Sequence, residues 1–289
     1  MTQLTPPKFE GEYLLDGISG LRNRSQSPLQ FCSSDFDPAK LSKPLGVGAK
    51  LRTENQGQTN CCAAHMITTL AESCILLASE FSTSEQLSRM YAMVTGQIAW
   101  QGSPQGDVGC SIDGVVRAAA EAGICRESTM PWTGQYYTRI PPAAADEAKL
   151  FRLGAHIEAT SVLQVYEFLA QRNGGLALGV NWNDYCRNPK ADGRIESWQE
   201  QIDWRGNPIG GLHAVPIVDW YDQFRDGRGW PYFELDNSWG DSYGNHGKVY
   251  LSPTVLELML RGRYSAAFLV SDMTFIKPRF DWRKGRFFA

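Results

Sequence analysis

Long apolar runs are missing from this sequence. The longest, such as Cys74–Ala78 and Ala266–Val270, fall far short of the ~18 residues that a membrane-spanning helix needs, so no membrane role is expected. An excess of one charge is missing too: 28 Lys and Arg stand against 31 Asp and Glu, a net charge of −3. Near neutrality argues against nucleic acid or another polyanion as partner. Histidine is scarce, with His65, His156, His213 and His246 scattered, and no Cys-x-x-Cys or His-x-x-x-His spacing occurs. The usual zinc patterns are therefore lacking, and neither a metal nor a cofactor is expected. The opening MTQLTPPKFEGEYLL carries prolines and charges where a secretory leader would place an apolar block. The expectation is cytoplasmic synthesis without a Sec signal, with any export by another route.

What is present is an ordinary globular composition, 43% hydrophobic and 20% charged. At 289 residues the chain exceeds what one core usually serves, which predicts two lobes. Seven cysteines cannot all pair within one chain, so at least one thiol is free. Residues 1–37 are polar and turn-rich, an arm without sustained periodicity. From Cys61 onward Met66, Ile67, Leu70, Ala71, Cys74, Leu77 and Ala78 recur at helical spacing, with Thr59 or Asn60 as the expected N-cap. Further helices are predicted at Asp113–Ala122, ended by Gly123, and at Val162–Gln171; strands are predicted at Leu176–Asn181, 212–220, 230–237, 247–251 and 264–270. Helices first and strands later give an α+β layout: a helix-rich lobe over 38–150, a β-rich lobe over 151–272, and a basic aromatic tail over 273–289.

The chemistry centres on Cys62. A thiol in the first turn of a helix sits where free backbone N–H groups and the macrodipole favour an anion, so a lowered pKa is expected. Gln56 lies six residues upstream, and a side-chain amide beside a nucleophile can donate to a developing oxyanion. Far downstream come His213 in GGLHAVPIVDW (210–220) and Asn237 in LDNSWG (235–240). A thiolate needs an imidazole to exchange its proton, and an asparagine carbonyl oxygen orients that imidazole without adding charge.

These blocks carry a resemblance. NQGQTNCCAAH (55–65), GGLHAVPIVDW and LDNSWGDSYGNHGKVYL (235–251) resemble the cysteine, histidine and asparagine segments of papain-like cysteine peptidases, particularly short bacterial members found in plant pathogens. The resemblance covers roughly 37–272 and implies a two-lobe fold with a cleft between the lobes. It implies Cys62 as nucleophile, Gln56 in the oxyanion hole, His213 as acid–base and Asn237 as its orienter. Gly109 and Cys110 then fall on the substrate ledge, and Ile112, Gly179, Ala214 and Ala266 in the main specificity pocket. Leu212 and Trp239 border the leaving-group side. An apolar pocket without a carboxylate implies a bulky apolar residue two before the scissile bond. The chain departs from the family at Cys61, where serine is usual, at Ala63, where tryptophan is usual, and at Thr59 and Asp107, which replace a disulfide. Pro216 removes a donor from the histidine strand, which predicts an edge or bulge there.

The implied partner is a peptide or protein substrate acted on by a monomer, with residues 1–37 in the place of an inhibitory prosegment. Two rival readings keep the same residues: an acyltransferase or deamidase acting on one protein, and a non-catalytic peptide binder. His65 reads as a residue that packs or caps a local contact, His156 and His246 as surface or structural residues, Asp107 and Asp113 as turn and helix-start residues, and 277–288 as a solvated or back-packed tail.

Overall fold

A computed structural model describes residues 35–273 except Gly134 and Asn173, with the backbone of 274–275, 279–281 and 286–288. Most of the N-terminal arm and the side chains of the basic tail therefore lie outside the described residues. The elements run α1 (Cys62–Ala78), α2 (Arg89–Gln101), α3 (Ile112–Glu121), α4 (Pro142–Ala148), β1 (Phe151–Glu158), α5 (Val162–Ala170), β2 (Gly174–Asn181), α6 (Asp184–Arg187), β3 (Arg194–Ile195), β4 (Leu212–Arg225), β5 (Pro231–Asp236), β6 (Lys248–Leu251), α7 (Pro253–Leu260), β7 (Ala266–Phe275), β8 (Arg279–Asp281) and β9 (Arg286–Phe288).

α1 sets the layout. From Ala63 to Leu77 every residue is buried, on all sides of the helix, which a helix tolerates only when other elements surround it. α2 and α3 pack against it, as do β2, β4 and β7. Those strands belong to a seven-stranded sheet of order β1-β7-β2-β4-β5-β6-β3, antiparallel except where β3 joins β6. α5 and α7 cover its other face, so β2 is buried along its whole length. Side-chain alternation then divides β4 between two cores. Ala214 and Val218 join Met66, Ile67, Leu70 and the first-lobe helices. Val215 and Ile217 join Phe168, Leu169, Phe233 and Met259.

Several expectations are met locally. α3 is capped by Ser111, whose hydroxyl accepts from Gly114 N–H, and Gly123 follows it at φ +81°. α5 carries a full capping box between Ser161 and Gln164. Pro216 pairs with Ala177 of β2, but pairing of β4 with β5 begins only at Ile217, with a register shift between Ile217 and Asp219. The missing donor thus lies at the unpaired edge, beside a bulge.

Other expectations change. Neither Thr59 nor Asn60 caps α1; Cys61 is the N-cap residue and makes no side-chain cap bond. Thr59 Oγ1 instead donates to Gln56 O, and Asn60 Nδ2 to Asp107 O. β7 continues past its predicted end at 270 to Phe275, because Met273, Thr274 and Phe275 pair with Leu153, Arg152 and Phe151.

α1 crosses the sheet at Gly175. A Cβ built there would lie 2.7 Å from Leu70 Cδ2 and 2.4 Å from Ile217 O. Gly175→Ala is expected to cost about 1–3 kcal/mol as overpacking at a crowded crossing, read as a lower urea midpoint at unchanged slope.

Candidate active site

Cys62 is the first residue of α1, so its own N–H and the next ones have no intrahelical acceptor. The loop before it is tied down on two sides. Gln56 N–H donates to Ser238 O at 2.8 Å and Gly240 N–H to Glu54 O at 2.8 Å, a short antiparallel pairing that joins this loop to the segment after β5. Across the first lobe, Asp107 Oδ1 accepts from Asn60 N–H at 2.6 Å and from Tyr136 OH at 2.5 Å. Asp107 therefore does more than turn its own loop: it ties the loop before α1 to the segment before α3. Cys61 is completely buried, with Sγ 2.8 Å from Tyr136 OH, and burial pushes its thiol up to about 11. Cys62, unlike Cys61, keeps some exposure.

His213 opens β4 opposite Val180 of β2. Its Nε2 lies 2.8 Å from Asn237 Oδ1, which also accepts from Ser238 N–H at 2.8 Å. The Trp239 ring leans over the imidazole, centroids 4.8 Å apart, and Trp182 closes it from another side at 5.5 Å. The amides of Ala214, Ala63 and Cys62 itself face the Cys62 sulfur, which brings it beside the residue that follows His213. Gln56 Oε1 accepts from Ser238 Oγ at 2.6 Å while Gln56 Nε2 donates to Thr59 O at 2.6 Å. The Thr59 carbonyl, which can only accept, fixes which end of the carboxamide is which, leaving one N–H of Nε2 uncommitted by these bonds.

The electrostatics correct one expectation. Burial outweighs the amides and raises the Cys62 thiol rather than lowering it. Burial likewise depresses His213 to about 4, only partly countered by Asn237. Either ion alone is disfavoured in this dry site.

Neither a protein-family model nor a curated protein sequence matches the chain. Solved structures do match. Xylellain, a cysteine protease from Xylella fastidiosa, has a TM-score of 0.61 at 18% identity, over 81% of this chain and 88% of that one. The bromelain protease from Ananas comosus, solved with the E64 inhibitor, gives 0.57 at 14% identity, over 80% of this chain and 100% of that one. Digestive procathepsin L 3 of Tenebrio molitor gives 0.58 at 18%, over 89% and 78%. The fold is that of papain-like cysteine proteases.

Within this papain-like fold the expected pocket residues converge. Gly179 pairs with Ala214 on one side and Ala266 on the other. A Cβ on Gly179 would lie 2.6 Å from Ile112 Cγ1, so Ile112 occupies the space over the glycine. Gly109 has φ +81° and faces the Asn60 carbonyl, 3.5 Å from where its Cβ would be. Burial, and after it the charges of Cys62 and Cys61, raise the Cys110 thiol, so Cys110 lies near both. Leu212 is exposed, 58%, beside His213.

Four contributors were not singled out from sequence for these roles: Ser238, Trp182, Tyr136 and Glu54. Ser238 is signalled by its place inside NSWG; the others have no local pattern. Glu54 Oε1 pairs with Arg89 Nη2 at 2.6 Å and also with Arg52, and Oε2 lies 3.4 Å from His65 Nδ1. Hydrogen bonding to His65 and the charges of Arg89 and Arg52 overcome burial and hold this carboxyl near 2. His65 is thus a packed, carboxylate-facing residue. His156 packs edge-on against Phe268, Asp113 pairs with Arg117 at 3.0 Å, and exposed His246 lies 3.2 Å from Asp241.

Without a thiolate beside it, His213 should stay neutral well into acid. In Cys62→Ser, ring NMR should show His213 titrating near 4, its proton lost as pH rises through that value; titration near 6.5 would contradict the burial account.

Proposed function

We propose that the chain is a cysteine endopeptidase that hydrolyses peptide bonds through Cys62, His213 and Asn237. The observation that carries the reading is the 2.8 Å His213–Asn237 contact beside a helix-opening cysteine, within a papain-like fold. Because a lone thiolate and a lone imidazolium are both disfavoured, the two titrate as a pair: His213 takes the thiol proton as sulfur attacks the scissile carbonyl. The thiolate disappears into the C–S bond, and the new oxyanion is met by Cys62 N–H and Gln56 Nε2. His213 then gives its proton to the leaving amine, and in the second half takes one from the water that releases the acid product. Asn237 holds the imidazole to this tautomer, and Trp239 and Trp182 keep water from that bond.

Gly109 and Cys110 supply backbone for short strand-like pairing with substrate. Ile112, Gly179, Ala214 and Ala266 form an apolar subsite for a bulky apolar residue two before the scissile bond. The N-terminal arm is proposed to limit access to Cys62. Its described end is anchored on the second lobe, where Phe36 packs on the core and Arg225 donates to the Ala39 and Leu41 carbonyls. Arg225 is twelve residues along β4 from His213, about 40 Å at ~3.3 Å per residue, and thirty-four extended residues reach well over that distance.

Hydrolysis of an internally quenched peptide library tests the reading. Wild type should favour Leu, Phe or Val two before the cut; Cys62→Ser or His213→Ala should abolish turnover, and Gln56→Ala should cost roughly 10²–10³ in kcat. Arg or Lys favoured at that position would overturn the pocket assignment. No turnover by full-length or arm-deleted protein would favour a dedicated transferase or a binder.

A further inference from the structure

Three segments that surround His213 meet at one buried hydroxyl. Tyr243 lies between β5 and β6 and is buried. Its OH donates to Cys186 O of α6. Two N–H groups face the same oxygen: Nδ2 of Asn237, just after β5, and Nε1 of Trp182, just after β2. Both donors are buried, and neither finds an acceptor elsewhere. Buried donors of this kind are normally satisfied. The ring contacts draw the same groups together. Tyr243 stands edge-on to Trp239, centroids 5.0 Å apart, and Trp182 stands edge-on to that indole at 6.4 Å. Trp239 and Trp182 are in turn the two rings set against the imidazole.

Hydrogen-bond polarity then assigns the roles. A phenol oxygen whose proton is committed to a carbonyl acts on further partners only as an acceptor. Toward Asn237 it therefore takes the NH2 end of the carboxamide, which leaves Oδ1 for His213 Nε2 at 2.8 Å. Ser238 N–H marks the oxygen end at 2.8 Å, and Tyr243 faces the nitrogen end. Toward Trp182 the same oxygen takes the indole N–H and sets the angle of that ring beside the imidazole. Burial raises the phenol against the pull of these two donors, so the hydrogen on Cys186 O stays in place.

We propose that Tyr243 is a positioning residue: its hydroxyl gathers Cys186 O, Asn237 Nδ2 and Trp182 Nε1, and thereby fixes the carboxamide that orients His213. It touches neither substrate nor the reacting atoms and acts through Asn237. Its consequence for turnover rests on the proteolytic reading.

Tyr243→Phe deletes the hydroxyl and keeps the ring against Trp239. On a quenched peptide it should lower kcat roughly tenfold, the scale of one buried hydrogen bond, with KM unchanged within about twofold. In an Asn237→Ala background the same change should cost less than about twofold, because the group it acts through is gone. Wild-type kcat in Tyr243→Phe, an equal loss in both backgrounds, or a loss confined to KM would overturn the assignment. A second measurement needs no turnover. In Cys62→Ser the His213 Nε2–H proton should give a sharp NMR signal, and adding Tyr243→Phe should broaden it through faster exchange; an unchanged signal would overturn the positioning role. If Tyr243→Phe does not fold, nuclear Overhauser contacts between the Asn237 Nδ2 protons and the Tyr243 ring in Cys62→Ser decide, and their absence would overturn the proposal. A wild type that cleaves no peptide would overturn the proteolytic reading, and the two NMR results then decide the contact on their own.

Discussion

Two backbone hydrogen bonds, Gln56 N–H to Ser238 O and Gly240 N–H to Glu54 O, join the loop before α1 to the loop after β5. Everything in the site is positioned relative to that seam. On one side it presents the helix-opening Cys62; on the other it presents Asn237 and Trp239 to His213. Ser238 lies in the seam and bonds Gln56 through its hydroxyl, so the Gln56 carboxamide is held by the residue that follows Asn237. A seam between segments so distant in sequence costs loop-closure entropy, and it is backed by buried groups on both sides.

Those groups are mostly charged. Arg89, 1% exposed, reaches Glu54 and Glu72 and also donates to Leu87 O. Lys248 reaches Asp236 Oδ1 at 2.8 Å, Glu234 Oε1 at 3.0 Å and Gly48 O at 2.8 Å. Burial pushes Asp236 up to about 6 even so. Buried ion pairs add little net stability over apolar packing, but breaking one is costly because its partner is left unpaired. Their contribution here is direction: Glu54 is fixed where its carbonyl takes the Gly240 amide, and Asp236 directly precedes Asn237.

Much of this was legible in the sequence. α1 announced itself by apolar spacing, and Cys62, Gln56, His213 and Asn237 stood in blocks whose chemistry is readable one residue at a time. The strands of the second lobe showed as apolar runs between glycine-rich turns. α2 did not, because its Arg89, Thr95 and Gln97 are buried in hydrogen bonds and blur the apolar stripe. Asp107 was legible as a turn residue and, by resemblance, as the position opposite Thr59, but its bonds to Asn60 and Tyr136, 47 and 29 positions away, leave no local pattern. The direction of the Cys62 shift was also beyond the sequence: a helix N-terminus favours the thiolate, and only the depth of burial shows that desolvation wins.

The account stands on Cys62, and not its neighbour, being the thiol served by His213. Intact-mass measurement after exposure to an epoxysuccinyl inhibitor, on wild type, Cys61→Ser, Cys62→Ser and His213→Ala, tests this directly. A single adduct in wild type and Cys61→Ser, absent from Cys62→Ser and strongly slowed in His213→Ala, is the predicted result. An adduct that persists in Cys62→Ser, or that forms equally fast without His213, would contradict it.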